Sequence, residues 1–148
     1  MYALEYGLER KCVTVDETMN IYEAVKNYSN MLSAELVKLN WVLVDEAQFL
    51  TEKQVEELTD VVDNLGINVM CFGLRTDFLT NSFPASRRLF ELADSIQEIK
   101  SVCKCGNKAI INARIDEQGQ LETNGHQVVV GRKQLVYTNV QKMLQGKT

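Results

Sequence analysis

Residues 41–50, WVLVDEAQFL, set four apolar side chains directly against two adjacent carboxylates, Asp45 and Glu46. An apolar run without polar alternation reads as a strand buried on both faces, as in a parallel sheet covered by helices. Its acidic end allows two readings. The carboxylates can be a strand terminus pointing into water, where most acidic residues sit. They can also be the acidic half of a nucleotide-phosphate site. P-loop NTPases end an apolar strand in a carboxylate that holds the water shell of Mg2+ beside the β- and γ-phosphates. A second carboxylate next to it is then placed to take a proton from an attacking hydroxyl. The strand end alone leaves both readings open.

Working outward from this strand, Ile21, Ala24, Val25, Tyr28 and Leu32 recur at helical spacing, which predicts a helix from Asn20 to about Leu39, broken by Asn40. Before it, Cys12–Val15 (CVTV) reads as a short strand. After the acidic pair, Thr51 and Gln54 form a capping-box pattern that opens a second helix. Its expected buried stripe is Val55, Leu58, Val62 and Leu65, and Gly66 supplies its stop. Residues 67–74, INVMCFGL, are a second continuous apolar strand. A helix between two such strands makes them parallel neighbours. A polar loop with two aromatics follows over residues 75–85, then a helix over 85–94 and a further strand in SIQEIKSVC (95–103).

From Cys103 the texture changes to short strand-like runs broken at Gly106, Gly119, Gly125 and Gly131. This divides the chain into an α/β domain over 1–101 and a small β-rich domain over 102–148. The tail TNVQKMLQGKT reads as a short helix or a frayed end.

The bulk numbers exclude several classes. The 148 residues, 45% hydrophobic and 24% charged with a single Pro, suit one compact domain or one domain with a small appendage. A net charge of −4, a pI near 5.1 and no Lys/Arg block argue against a nucleic-acid partner. No apolar stretch approaches the roughly 18–20 residues that span a bilayer. Glu5 interrupts any signal-peptide core, so no membrane partner is expected. The cysteines are scattered (Cys12, Cys71) or one residue apart (Cys103, Cys105), a spacing that fits metal ligation better than a disulfide framework and points to a reducing cytoplasm.

VDEAQFL (44–50), GLRTDF (73–78), CKCGNKA (103–109) and the GHQVVVG stretch (125–131), in this order, resemble the thymidine kinases of the P-loop type found in bacteria, phages and animal cytosol. The resemblance runs from about Gly7 to Tyr137. It implies an α/β fold of P-loop NTPase (RecA-like) type, incomplete at its N-terminal side, with a small zinc-ribbon and lasso appendage. It also implies ATP and thymidine as substrates, Mg2+ as cofactor, and assembly as a homo-oligomer, a tetramer in the family. Asp45 is then the Mg2+-associated carboxylate and Glu46 the base for the 5′-hydroxyl, with Ala47 and Gln48 beside the nucleotide. Phe49, Leu74 and Phe78 line the thymidine site, where a flat ring suits stacking on the base. Phe83 is read as a packing residue. Arg75 either supports phosphate charge or pairs with Asp77 at the surface.

In the same comparison Gln127, Val128, Val129, Val130 and Gly131 form a lasso whose backbone reads the base edges, and Tyr137 closes the pocket; for Val129 the alternative is simple strand packing. Cys103 and Cys105 match the first half of a structural zinc site. Gln141 and Leu144 stand where the second pair belongs, and the sole histidine, His126, lies upstream. A closed site needs four ligands, so tight zinc binding is not expected.

The phosphates of such an enzyme require a G-x-x-x-x-G-K-[ST] loop between a strand and a helix. These residues contain none. The only Gly-Lys-Thr is Gly146-Lys147-Thr148, and the position that should carry its partner glycine is Gln141. The chain therefore reads as the later part of a thymidine kinase, N-terminally truncated so that the phosphate-binding loop is absent, and expected to be inactive by itself. The alternative is a decayed fragment serving as a non-catalytic nucleoside-binding or interaction subunit.

Overall fold

The computed structural model describes residues 2–5, 8–102, 106–114, 124–125, 127 and 134–137. The chain packs into two units, Met1–Phe72 and Gly73–Thr148.

In the first unit β1 (Tyr2–Glu5) and β2 (Leu8–Lys11) form an antiparallel pair. The strand expected at 12–15 is absent, because a strand exists only where a ladder partner does. Leu8–Lys11 finds one, and the chain then enters a turn in which Asp16 Oδ1 accepts the N–H groups of Thr18 and Met19. The hydroxyl of Thr18 also donates to Asp16, and these bonds hold its carboxyl below the ordinary value.

Helix α1 (Ile21–Ala34) begins where Asn20 Oδ1 accepts from Glu23 N–H. It ends earlier than its apolar spacing predicts. Leu36 takes a left-handed φ of 60°, its N–H donates to Ser33 O, and Val37 N–H reaches back to Leu32 O. That is a Schellman ending built on leucine rather than glycine.

The central element is strand, helix, parallel strand, as its sequence predicts. β3 (Trp41–Val44) pairs in parallel with β4 (Asn68–Cys71), Trp41 opposite Asn68 and Val44 opposite Cys71. Between them α2 (Glu52–Leu65) opens on a closed capping box: Thr51 Oγ1 accepts from Gln54 N–H, and Gln54 Oε1 accepts from Thr51 N–H. Gly66, at φ 63°, ends it. Its buried stripe is Val55, Leu58 and Val61, while the expected Val62 is 38% exposed. A 3.6-residue period permits a step of three or four residues, and from Leu58 the buried stripe takes the shorter, to Val61. Between α1 and α2 a buried carboxylate makes a tie: Glu57 Oε2 accepts the Ile21 N–H at 2.8 Å.

The expectation that WVLV is covered on both faces is not met. Val42 and Val44 are half-buried, but Trp41 and Leu43 are 51% and 67% exposed, with Met70 also open on that face. Alternation is the mark of a sheet covered on one side.

In the second unit α3 (Pro84–Leu92) starts with proline in its first turn, behind a buried Phe83. The strand expected over 95–103 shrinks to β5 (Ser101–Val102), antiparallel to β6 (Lys108–Ala109). Ile96 and Ile99 before it are exposed, so no buried layer holds them in a ladder. β7 (Ile111–Arg114) pairs antiparallel with β8 (Gln134–Tyr137), and among the described residues of this unit the buried apolar ones are Phe78, Phe83, Ala85, Ala109, Ile111 and Ala113. No described helix is long and apolar enough to cross a membrane.

Candidate functional site

The acidic strand end is held by backbone on both sides. Phe72 N–H donates to Val44 O and Ala47 N–H donates to Phe72 O, each at 2.8 Å. A regular parallel ladder would return to Phe72 O from residue 46, so the chain fits one extra residue between these bonds. Glu46 takes the left-handed region, φ 52° and ψ 36°, which is uncommon for a residue bearing a Cβ. A short 3-10 turn, Ala47–Phe49, follows. Ala47 is fully buried and Gln48 is 3% exposed, so both lie beneath the carboxylates. Gln48 Nε2 donates to Glu46 Oε2 at 2.5 Å, and Asp45 Oδ1 accepts the Glu46 N–H at 2.9 Å. Phe49 stands half exposed beside them.

Asp45 and Glu46 thus face solvent at the carboxyl end of a parallel strand pair, where open α/β sheets collect ligands. Their oxygens suit a hard divalent cation. Among the described residues no three His, Cys, Asp or Glu side chains gather into a metal cluster. Close by, burial pushes the Cys71 thiol up to about 11.

In the second unit the loop after residue 73 is organised by Asp77, 5% exposed. Its Oδ1 accepts the N–H groups of Leu79 and Asn81, and its Oδ2 accepts from Gln127 Nε2 at 3.1 Å. The surface pair between Arg75 and Asp77, one of two readings of Arg75, is therefore not what this carboxylate does. Arg75 instead contributes to the charge around Glu98, whose carboxyl is held below the ordinary value first by its hydrogen bond from Lys108.

Leu74 is tied to α3, its carbonyl accepting from Ser86 Oγ at 2.6 Å. Phe83 packs inward as its sequence context predicts. Phe78 is also buried, at 5% exposure, with the Arg114 guanidinium 4.0 Å from its ring centroid. Arg114 escaped sequence reasoning. Its signal was a lone cation ending the otherwise uncharged AIINAR, and a charged side chain in such a strand is buried only with partners. Tyr137 lies on β8 opposite Ile111. Cys103, Cys105, His126, Val128, Val129, Val130, Gly131, Gln141 and Leu144 fall outside the described residues.

A family model described as thymidine kinase matches residues 8–142. The chain is 42% identical over 125 residues to a thymidine kinase of Legionella pneumophila (strain Lens), covering 84% of this chain and 58% of that protein. It is 42% identical over 129 residues to one of Aliivibrio fischeri, covering 87% and 65%. With the Yersinia pestis thymidine kinase it shares 45% identity over 113 residues, covering 75% and 58%. The matched region thus spans 58% to 65% of the length of these curated relatives.

Proposed function

This chain belongs to the thymidine kinase family, and on that premise we propose that it carries the catalytic strand end and the nucleoside strap of an ATP-dependent thymidine kinase. The reaction joins the 5′-hydroxyl oxygen of thymidine to the γ-phosphorus of ATP as the bond from that phosphorus to the β-γ bridging oxygen breaks, releasing ADP. The hydroxyl proton leaves to Glu46. The observation that carries this reading is the strand end itself. A carboxylate in a left-handed turn, held from below by Gln48, is fixed in direction before any substrate arrives.

Asp45 is the residue that would hold Mg2+, through water, and the cation would supply screening of the phosphate charge. Phe49 borders the nucleotide beside this pair. Leu74 and Phe78 form a wall for the thymine base, Phe78 being braced from behind by Arg114. The backbone of Gln127–Gly131 reads the edges of the base, with Tyr137 closing the pocket. No phosphate loop occurs within these residues, so transfer requires one from outside them.

We propose also that the parallel pair is part of a P-loop NTPase sheet spanning 1–101, that 102–148 form a zinc-ribbon-like appendage with Cys103 and Cys105 as remnant ligands, and that the protein works as a cytoplasmic homo-oligomer. The test measures thymidine-dependent ADP release by the full product of the gene, alongside calorimetric thymidine binding to the 148-residue chain. Transfer that is lost in Glu46→Gln, with thymidine binding retained, supports the reading. Transfer unaffected by Glu46→Gln overturns it.

A further inference from the structure

Gln54 sits in the first turn of α2, directly after the turn that carries Glu46, and is 2% exposed. Its carboxamide is divided between two segments of the first unit. Oε1 accepts the Thr51 N–H at 3.0 Å, which holds the exit of the Ala47–Phe49 turn. Nε2 donates to Asp16 O at 2.6 Å and to Met19 O at 3.0 Å, carbonyls 38 and 35 residues earlier in the chain. Three residues on, Glu57 lies on the same face of α2 and accepts the Ile21 N–H. Two buried polar side chains of one helix therefore hold residues 16–21 at both ends.

A capping box needs only the side-chain oxygen at this position, and glutamate closes it as well as glutamine. The amide nitrogen is what glutamine adds, and it serves the 16–19 turn alone. We propose that Gln54 is a positioning residue, which couples the Asp16–Met19 turn to the turn that carries Glu46. The connection from one to the other is hydrogen-bonded at each step. Thr51 is held by Gln54, Leu50 N–H donates to Ala47 O, and Gln48 donates to Glu46. When the 16–19 turn leaves, Nε2 is a buried donor without an acceptor, which is costly. A carboxamide that rotates to find another partner releases Thr51, and the turn above it loosens. A base out of position costs rate without weakening nucleoside binding. That the reacting group is a nucleoside hydroxyl rests on the thymidine kinase reading; the coupling does not.

Gln54→Glu separates the two halves of the carboxamide. It keeps the oxygen that closes the capping box and sets a carboxylate against two carbonyls. Val61→Ala serves as comparator, because it removes methyl groups from the fully buried stripe of the same helix and touches neither bond. The full gene product is followed by ligand-free hydrogen exchange of peptides covering 12–20 and 45–51, by a melting curve, and by steady-state kinetics. Gln54→Glu is expected to speed exchange in both peptides and to lower kcat about tenfold, with thymidine KM within about twofold of the parent. Val61→Ala is expected to lower Tm while kcat stays within about twofold of the parent. Gln54→Met, which keeps the length and loses both bonds, is read in the same way should the carboxylate prevent folding.

Faster exchange confined to 12–20, with 45–51 unchanged, overturns the coupling. So does a kcat that falls as far in Val61→Ala as in Gln54→Glu, which is the result of a general loss of stability. If both peptides respond as expected while the parent protein neither binds nor phosphorylates thymidine, the coupling stands and the substrate reading falls.

Discussion

Gln48, sealed beneath the strand end at 3% exposure, donates its side-chain amide to Oε2 of Glu46, a residue that is itself solvent-exposed. A buried neutral donor therefore sets the direction of an exposed carboxylate. Replacing Gln48 by Leu keeps the bulk and removes the donor. The expected result is a fall in kcat of about tenfold with thymidine KM little changed, since a hydrogen bond to a charged group contributes roughly 1.5–3 kcal/mol. Steady-state kinetics on the full gene product, with a melting curve to verify folding, check this.

Glu46→Gln removes the proposed proton acceptor and keeps the shape. Loss of a positioned base typically costs on the order of 10²–10⁴ in rate. Single-turnover phosphoryl transfer should fall by that much while thymidine affinity holds. Asp45→Asn should instead raise the Mg2+ concentration needed for half-maximal rate, read from a Mg2+ titration.

The backbone at Glu46 predicts an opposition between stability and activity. A Cβ in the left-handed region costs roughly 1 kcal/mol that glycine avoids. Glu46→Gly should therefore be more stable to urea than Glu46→Ala, although both lack the proposed base. Equal urea midpoints for the two variants would show that the turn stores no strain.

Glu57 is expected to matter more to stability than its place on a surface helix indicates. It is 6% exposed, accepts the Ile21 N–H, and has Lys53 Nζ 3.8 Å from its Oε1. Glu57→Leu leaves the amide without its acceptor and should destabilise the chain by about 1–3 kcal/mol in urea denaturation. Thr51→Ala, which opens the capping box, should cost about 1 kcal/mol.

Cys71 sets an alkaline limit. Its thiol keeps its proton to about pH 11 when folded, against an ordinary value of 9.0. The stability this contributes is whole below pH 9.0 and is lost as pH rises through about 11, since the unfolded chain ionises first. Cys71→Ala should therefore lose less stability than the parent between neutral pH and about pH 10, measured by urea midpoints. The same protonated thiol should be alkylated by iodoacetamide more slowly than the exposed Cys12, scored by peptide mapping.

Local chemistry was legible in the sequence wherever the interacting residues are near neighbours. The capping box of Thr51 and Gln54, the stop at Gly66 and the helix linking two apolar strands rest on steric and hydrogen-bonding rules acting within a few residues. Asp45 and Glu46 were legible for the same reason, because they terminate a strand that announces itself. The end of α1 was not: a leucine took the left-handed position that glycine usually marks, and no residue type signalled it. Nor could periodicity choose between Val61 and Val62, since both fit a helical stripe until the folded chain covers one of them.

Three facts needed the folded chain. Trp41 and Leu43 are exposed because burial on a second face depends on a layer that the strand's own residues do not encode. Gln48 turns out to support Glu46 because side-chain direction is set by the turn between them and by what closes over it. Arg114, Asp77 and Gln127 meet across long stretches of sequence, and only tertiary approach makes a buried cation over Phe78 and a buried carboxylate tolerable together. The sequence by itself determined the strand–helix–parallel strand order and the acidic pair at its end, through rules that act between neighbours. The tertiary structure alone decided which faces are covered and which distant polar groups satisfy one another, because burial and charge pairing depend on what the rest of the chain brings close.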